Sequence, residues 1–199
     1  DFGNLPWRSV FTDPQLQGLI EKALNNNPDL LNAALNIDIA EQQVKTSKLA
    51  FLPSVVFAPT GTISHFGSHT SSTQAYTLPV SASWDVDLFG KLRSAKKAAQ
   101  MMLIQSHDYQ VSVQTTLICS VANLYYTLLM LDQQKQIVDD MSGLTKNTWD
   151  MMKLQMEYGR ARSTSVQSAE SAYYSVQTQS ADIRRQIRET ENTLSLLLG

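Results

Sequence analysis

The chain has 199 residues, 43% of them hydrophobic and 17% charged, with a formal net charge of −2. That apolar content excludes a disordered tail, near-neutrality excludes the basic face that nucleic acid demands, and a single cysteine, Cys119, excludes a disulfide framework or multi-cysteine metal site. Asp1 opens directly into polar sequence with no basic and apolar leader, so a mature, trimmed or excised chain is expected.

Charge is scarce against the roughly 25% of an ordinary soluble domain, and the scarcity is local. Residues 49–84 and 109–131, windows of 36 and 23 residues, contain no Asp, Glu, Lys or Arg. Charge density elsewhere is ordinary.

In chain order, Asp13-Pro14 and Asn27-Pro28 each place a capping side chain before a proline suited to the first helical position. They predict a short helix over 14–24 and a second over 28–50, stopped by Pro53. The first uncharged window follows, rich in Ser, Thr and Gly. In its second half Tyr76, Leu78, Val80, Ala82, Trp84, Val86 and Leu88 fall on one face, and Thr77, Pro79, Ser81, Ser83, Asp85 and Asp87 on the other. That period of two predicts a strand. Residues 52–66 alternate more weakly, with Val55, Phe57 and Ile63 sharing a face with Pro59 and Gly61, and the polar stretch 67–72 connects the halves. The unit reads as a hairpin of two long strands.

An isolated hairpin is marginal in water, and nothing else in the chain reads as a strand, so these strands need partners. One alternative is a soluble hairpin packed on helices. Exclusion of charge over both strands favours a membrane instead, with Tyr76, Leu78, Val80, Ala82, Trp84 and Val86 facing lipid. Tyr76 and Trp84 are about 26 Å apart along a strand and roughly 19 Å in depth at a 45° tilt, slightly short of the spacing of aromatic girdles.

After Gly90 a helix is predicted over 91–158, a rod of about 100 Å interrupted only by Gly143. The second uncharged window lies inside it and has transmembrane length. Gln110, Ser112, Gln114, Thr115, Thr116, Ser120, Asn123 and Thr127 make it too polar for lipid, so it reads as a helix buried among helices. Gly159 reverses the chain, and Thr164 with Gln167 reads as a capping box. The last helix, 164–199, carries a heptad seam: Val166, Ala169, Tyr173, Val176, Ser180, Ile183, Ile187, Thr190, Leu194 and Leu197. Helices 28–50 and 164–199 sum to roughly 89 Å. They are expected to stack end to end along the long helix and antiparallel to it, with the hairpin at one end and the Gly159 turn at the other.

The fold class is therefore mostly α with one β-hairpin, in three segments: 1–50, the hairpin 51–89, and a long helical hairpin 90–199. Such an assembly has too few neighbours to bury its seams or pair its strand edges, so it requires more copies or a second half.

No catalytic constellation, phosphate loop or dinucleotide fingerprint is present, and no cofactor or metal is expected. His65 and His69 lie on a strand end and its loop, where a spacing of four does not converge; His107 stands alone. Asp85 and Asp87 read as solvated carboxylates at a strand-to-helix junction, with pairing to Lys91 and Arg93 or a role in cation passage as alternatives. Met152 and Met156 share a helical face, yet scattered methionines read as packing. Cys119, amid Leu117, Ile118 and Val121, reads as buried filler.

The chain resembles the outer-membrane factor family of TolC-type efflux ducts. The resemblance runs through Trp7 and Phe11 before Asp13-Pro14-Gln15-Leu16, then Leu19-Ile20 and Ala23-Leu24-Asn25-Asn26-Asn27-Pro28-Asp29-Leu30, then Ala40 and Leu52-Pro53. It continues in Ser83-Trp84-Asp85-Val86-Asp87-Leu88-Phe89-Gly90-Lys91, Tyr158-Gly159, Ala169-Glu170 and Glu191-Asn192-Thr193-Leu194 to Leu198-Gly199. In that family each protomer is a tandem repeat, and three protomers build a twelve-stranded outer-membrane barrel continuous with a periplasmic helical barrel. This sequence looks like the first repeat, its two strands matching half of the four per protomer.

The resemblance implies a homotrimeric passive conduit in the Gram-negative outer membrane, extending into the periplasm and loaded by a periplasmic adaptor and an inner-membrane pump. It implies that Tyr158, Gly159, Arg160, Ala161, Arg162 and Ser163 meet the adaptor. The acidic residue common after this turn is replaced by Thr164-Ser165, and Arg160 and Arg162 make the turn more basic than usual. The carboxylate gate of many members belongs to the second repeat. A non-transport coiled-coil scaffold or adaptor, the competing reading, explains the heptads and leaves the charge-free hairpin unexplained.

Overall fold

A computed structural model describes residues 6–64 and 73–199. The helices are α1 (Trp7–Val10), α2 (Pro14–Asn26), α3 (Pro28–Leu49), α4 (Lys91–Glu157) and α5 (Ser163–Leu198). Between α3 and α4 come β1 (Ser54–Phe57), β2 (Thr60–Ser64), β3 (Thr73–Thr77) and β4 (Val80–Ser83). The chain divides into two compact units: Asp1–Leu31 with Ser112–Gly199, and Asn32–Val111. α4 runs through both.

The first unit is built on α2, α4 and α5. Pro14 opens α2, and Asp13 caps it by accepting the Gln15 N–H at 2.8 Å. Its other carboxylate oxygen accepts the Tyr125 hydroxyl of α4 at 2.6 Å, a tie between residues 112 apart. Leu16, Ile20 and Ala23 then bury one face of α2 against Leu117, Ile118, Val121 and Ala122 of α4 and Leu194 and Leu198 of α5. The second uncharged window is covered only in part: Leu117, Ile118, Val121, Ala122 and Leu131 are buried, but Tyr109, Val111, Tyr126, Leu129 and Met130 are exposed, which corrects the expectation of a helix buried among helices. Cys119 is exposed: a residue off the seam points outward whatever its neighbours in sequence do.

Asn27 ends α2 and starts α3. Its side-chain oxygen accepts from Asp29 and Leu30 N–H groups, and its amide donates to Leu197 O at 3.0 Å, so this buried residue is satisfied on both sides. Along α5 all ten residues of the predicted heptad seam are buried or half-buried. Val176 and Ile183 pack on Val138 of α4, Ser180 donates to Asp139 at 3.1 Å, and Tyr173 stacks on Trp149 with centroids 5.5 Å apart. Burial pushes the Asp139 carboxyl upward, but the Ser180 hydroxyl with Lys135 and Arg184 outweighs it and holds the group below its usual range. Facing α5, α4 covers a stripe of the same spacing: Leu131, Lys135, Val138, Ser142, Thr145, Trp149 and Met152. A second apolar stripe on α4, of Ile137, Met141, Leu144 and Met151, is exposed.

In the second unit Ala33, Ile37, Ala40, Val44 and Ser47 form the covered stripe of α3, and Leu92, Lys96, Ala99, Leu103, Ser106 and Gln110 that of α4. Both follow alternating spacings of three and four, as helices packed side by side require.

The expected hairpin forms with a correction: each long strand is cut in two. β1 pairs antiparallel with β4 from Ser54↔Ser83 to Phe57↔Val80, and β2 with β3 from Thr60↔Thr77 to Ser64↔Thr73. Pro79 causes the cut. Ala58 N–H still reaches Pro79 O at 3.4 Å, but Pro79 has no N–H to return, and the next pair, Pro59 with Leu78, is a non-hydrogen-bonded one. The register is unchanged across the gap, so the two short ladders are one hairpin. Strand structure ends at Ser83, which leaves Trp84, Val86 and Leu88 outside the ladder.

A second correction falls on α5. It begins at Ser163 with Arg162 as N-cap and no side-chain cap bond, so Thr164 lies inside the first turn and forms no capping box with Gln167. The four-residue α1, with no side-chain cap, carries no signal strong enough to predict it.

The Tyr125 hydroxyl, then the Gln15 N–H, holds Asp13 below the ordinary carboxylate range. A carboxyl depressed on folding contributes stability that is present above its unfolded pKa of about 3.9 and lost as pH falls through the lower folded value. Thermal melting of the detergent-solubilised protein should lose stability through this range. Asp13→Asn should remove that part of the acid sensitivity; an identical acid profile would dissociate the tie from helix docking.

Candidate functional site

Two places carry the residues the sequence singles out: the hairpin and the α4–α5 turn. In the hairpin, directly paired residues share a face. The pairing Val55↔Ala82, Phe57↔Val80 and Gly61↔Tyr76, continued by Pro59 opposite Leu78, gathers most of the large apolar side chains of both strands on one side, which ends with Ile63 opposite the polar Gln74. The other side carries Ser54, Thr60, Thr62, Thr77, Ser81 and Ser83, with Val56, Ala58, Ala75 and Pro79 among them. The weak alternation of residues 54–64 is thereby set in phase with the strong alternation after residue 73.

Among the described residues of the unit, nothing covers the apolar face. Phe57 is 59% exposed, Val80 69% and Tyr76 71%, and Val55, Ile63 and Leu78 are equally open. Gly61 has a positional reason: a Cβ there would lie 3.2 Å from the Tyr76 ring, which covers the gap. At the base, Ser54 and Ser83 hydroxyls meet at 2.8 Å, and the Trp84 indole N–H donates to Phe51 O at 3.1 Å. Trp84 and Val86 are exposed beyond the last pair. Asp87 accepts the Arg93 N–H at 3.1 Å and lies 3.8 Å from its Nε, so it caps the start of α4. The Asp87 side chain is only 7% exposed, which corrects the expectation of a solvated carboxylate there in favour of the alternative pairing with Arg93; the helix-capping role is the part sequence reasoning missed. His65 and His69 lie outside the described residues.

At the turn, Gly159 has φ +67°. Its N–H bonds Met156 O at 2.9 Å, and the Arg160 N–H bonds Gln155 O at 2.8 Å. These paired bonds are a Schellman stop, which requires a left-handed residue. Tyr158, Arg160, Arg162 and Ser163 are exposed and Ala161 half-buried. Just before the turn, Lys153 sits 3.4 Å above the Trp149 ring, which also contacts Tyr173 and Tyr174. Among the described residues no cluster of His, Cys, Asp or Glu is placed to hold a metal ion.

Residues 19–199 match the outer membrane efflux protein family, and the chain belongs to it. It is 30% identical to the probable efflux pump outer membrane protein TtgC of Pseudomonas putida, across 97% of this chain and 41% of that protein. It is 26% identical to the cation efflux system protein CusC of Escherichia coli, across 100% of this chain and 44% of that one. The chain thus spans less than half the length of these relatives. A crystal structure of CusC superposes with a TM-score of 0.80 over 98% of this chain and 46% of that chain, at 26% identity. The outer membrane protein VceC of Vibrio cholerae shares the fold, with a TM-score of 0.77 at 24% identity over 97% of this chain and 49% of that one.

A Cβ at Gly159 would meet nothing within 4 Å, so substitution there costs only backbone strain. Gly159→Ala should lose about 1–2 kcal/mol in thermal unfolding, and Gly159→Asn less. Equal stability of Gly159→Ala and the native protein would contradict the left-handed stop.

Proposed function

We propose that the protein is the outer-membrane channel of a tripartite efflux or type I secretion system. It acts as a homotrimer that conducts substrate passively, without an enzymatic step, from a periplasmic adaptor and an inner-membrane pump to the exterior. The observation that carries this reading is the hairpin: an apolar face open along its whole length, backed by a Ser/Thr face. Placed in a closed barrel, the first meets acyl chains and the second lines an aqueous lumen. Segment 51–89 is then the membrane part, 1–50 and 90–199 the periplasmic parts.

Tyr76, Leu78, Val80 and Ala82 face lipid in this reading. Trp84 and Val86 follow the last pair, where unpaired backbone is excluded from hydrocarbon, so they meet the headgroup layer. The exposed Ile137, Met141, Leu144 and Met151 stripe supports further helices around α4. The turn from Tyr158 to Ser163 is the surface offered to the adaptor. A wide duct discriminates little, which leaves substrate choice to the pump. A coiled-coil scaffold without a channel has no use for the uncovered hairpin face.

The protein should fractionate with outer membranes as a heat-resistant trimer; a soluble periplasmic monomer would contradict the reading. Val80→Lys should impair insertion by about 2–4 kcal/mol near mid-bilayer, and Ala82→Lys, nearer the headgroup layer, by less, whereas Ser81→Lys is tolerated. Equal tolerance on both faces in an insertion assay would refute the membrane assignment.

A further inference from the structure

The charges of the chain are sorted by position. Residues 42–107 hold six cations, Lys45, Lys48, Lys91, Arg93, Lys96 and Lys97, against two carboxylates, Asp85 and Asp87; the rest of the chain holds ten cations against sixteen carboxylates. A chain of net charge −2 thus carries a local excess of positive charge, and all of it lies beside the hairpin. Lys45 and Lys48 are near the end of α3 and the other four in the first two turns of α4, within about 9 Å of the helix ends where the strands begin and finish. The first acids further along, Glu41 on α3 and Asp108 on α4, are about 12 Å and 26 Å from those ends.

The fold itself uses little of this charge. Arg93 pairs with Asp87, which leaves Asp85 as the carboxylate beside the exposed Lys45, Lys48, Lys91 and Lys97. Lysines suit the C-terminal end of α3, but Lys91 stands at the N-terminal end of α4, where cations are disfavoured and the first turn has no acid. Between the lysines and the sheet comes an apolar step. Phe89 is 98% exposed and Leu88 79%, and Leu49, Leu52 and Trp84 are open as well. Passing from sheet to helices, the exposed surface is therefore apolar, then aromatic, then cationic. A bilayer edge presents the matching order of acyl chain, glycerol layer and phosphate, and lysine stems are long enough to span the last step.

We infer that this collar binds anionic phospholipids of the leaflet facing the periplasm, with Leu88 and Phe89 at the glycerol level and Lys45, Lys48, Lys91 and Lys97 on the headgroup phosphates. Continuity with the apolar sheet face favours lipid over a protein partner. The inference rests on the membrane reading above and adds the headgroup chemistry to it.

The test reconstitutes the full-length trimer in phosphatidylcholine vesicles and compares how much spin-labelled phosphatidylglycerol and spin-labelled phosphatidylcholine the protein immobilises. Native protein should prefer the phosphatidylglycerol label about twofold at roughly 20 mM salt and lose most of that preference at roughly 500 mM. Changing Lys45, Lys48, Lys91 and Lys97 together to Gln should abolish the preference, and changing the same four to Arg should keep it. Lys22→Gln with Lys146→Gln, two exposed lysines outside the collar, should leave it unchanged. Heat-resistant trimer on a gel verifies that each variant is folded. Equal immobilisation of the two labels by native protein, a preference that survives in the four-glutamine variant, or one lost equally in the Lys22 and Lys146 variant would overturn the inference and leave the membrane reading standing. A native trimer that immobilises neither label would overturn both.

Discussion

Alternation along a strand is strict, so one pairing register decides the destination of every side chain in a hairpin. Here the register holds from Ser54↔Ser83 to Ser64↔Thr73. It aligns Val55, Phe57, Pro59, Gly61 and Ile63 with Ala82, Val80, Leu78, Tyr76 and Gln74 in turn, and it puts most of the Ser and Thr residues behind them. A slip of one residue would mix the faces and leave neither fit for lipid or water. Pro79 interrupts the ladder without shifting it. The Ser54–Ser83 contact and the Trp84 bond to Phe51 fasten the hairpin where the helices begin.

The helices obey a comparable constraint with a different period. α3 and α5 each cover one narrow stripe spaced three and four residues apart, and α4 does so except at residues 117–128, where it is covered by α2 and α5 together. That is the burial pattern of coiled coils, in which polar seam residues such as Ser142 and Ser180 are tolerated if they find partners. Ser180 does, on Asp139. Since a narrow seam buries little, exposed apolar residues on α4 are the counterpart of the uncovered sheet face: both surfaces are finished only by other helices, other strands or lipid. The Asn27 side chain joins two of these elements, capping α3 while holding the last turn of α5.

Much of this was legible in the sequence because it rests on local chemistry. Asp13-Pro14 and Asn27-Pro28 start helices as capping rules require, the α5 seam appears residue for residue, and Gly159 adopts the left-handed stop. The family resemblance lies in these same stretches. What stayed hidden depends on distant partners or on competition between local signals. The tie between Asp13 and Tyr125 crosses 112 residues. Asp87 was visible as a charge, but its capping of α4 depends on how the chain turns at Gly90. Thr164 and Gln167 had the spacing of a capping box, yet the Schellman stop ends so quickly that α5 starts first. In the hairpin, the phase of the weak strand was fixed by its partner, and alternation running to Leu88 overstated a ladder that ends at Ser83.

The central claim is that one face of this hairpin meets lipid and the other water. It is tested most directly by single nitroxide labels at Val80→Cys, Ser81→Cys, Ala82→Cys and Ser83→Cys in full-length protein lacking other cysteines, reconstituted in lipid vesicles. Relaxation by oxygen and by a water-soluble nickel chelate would be read at each position. Labels at 80 and 82 should respond to oxygen and not to nickel, and labels at 81 and 83 the reverse. Four labels that all respond to nickel would contradict the membrane face, and four shielded from both reagents would show that protein covers it instead.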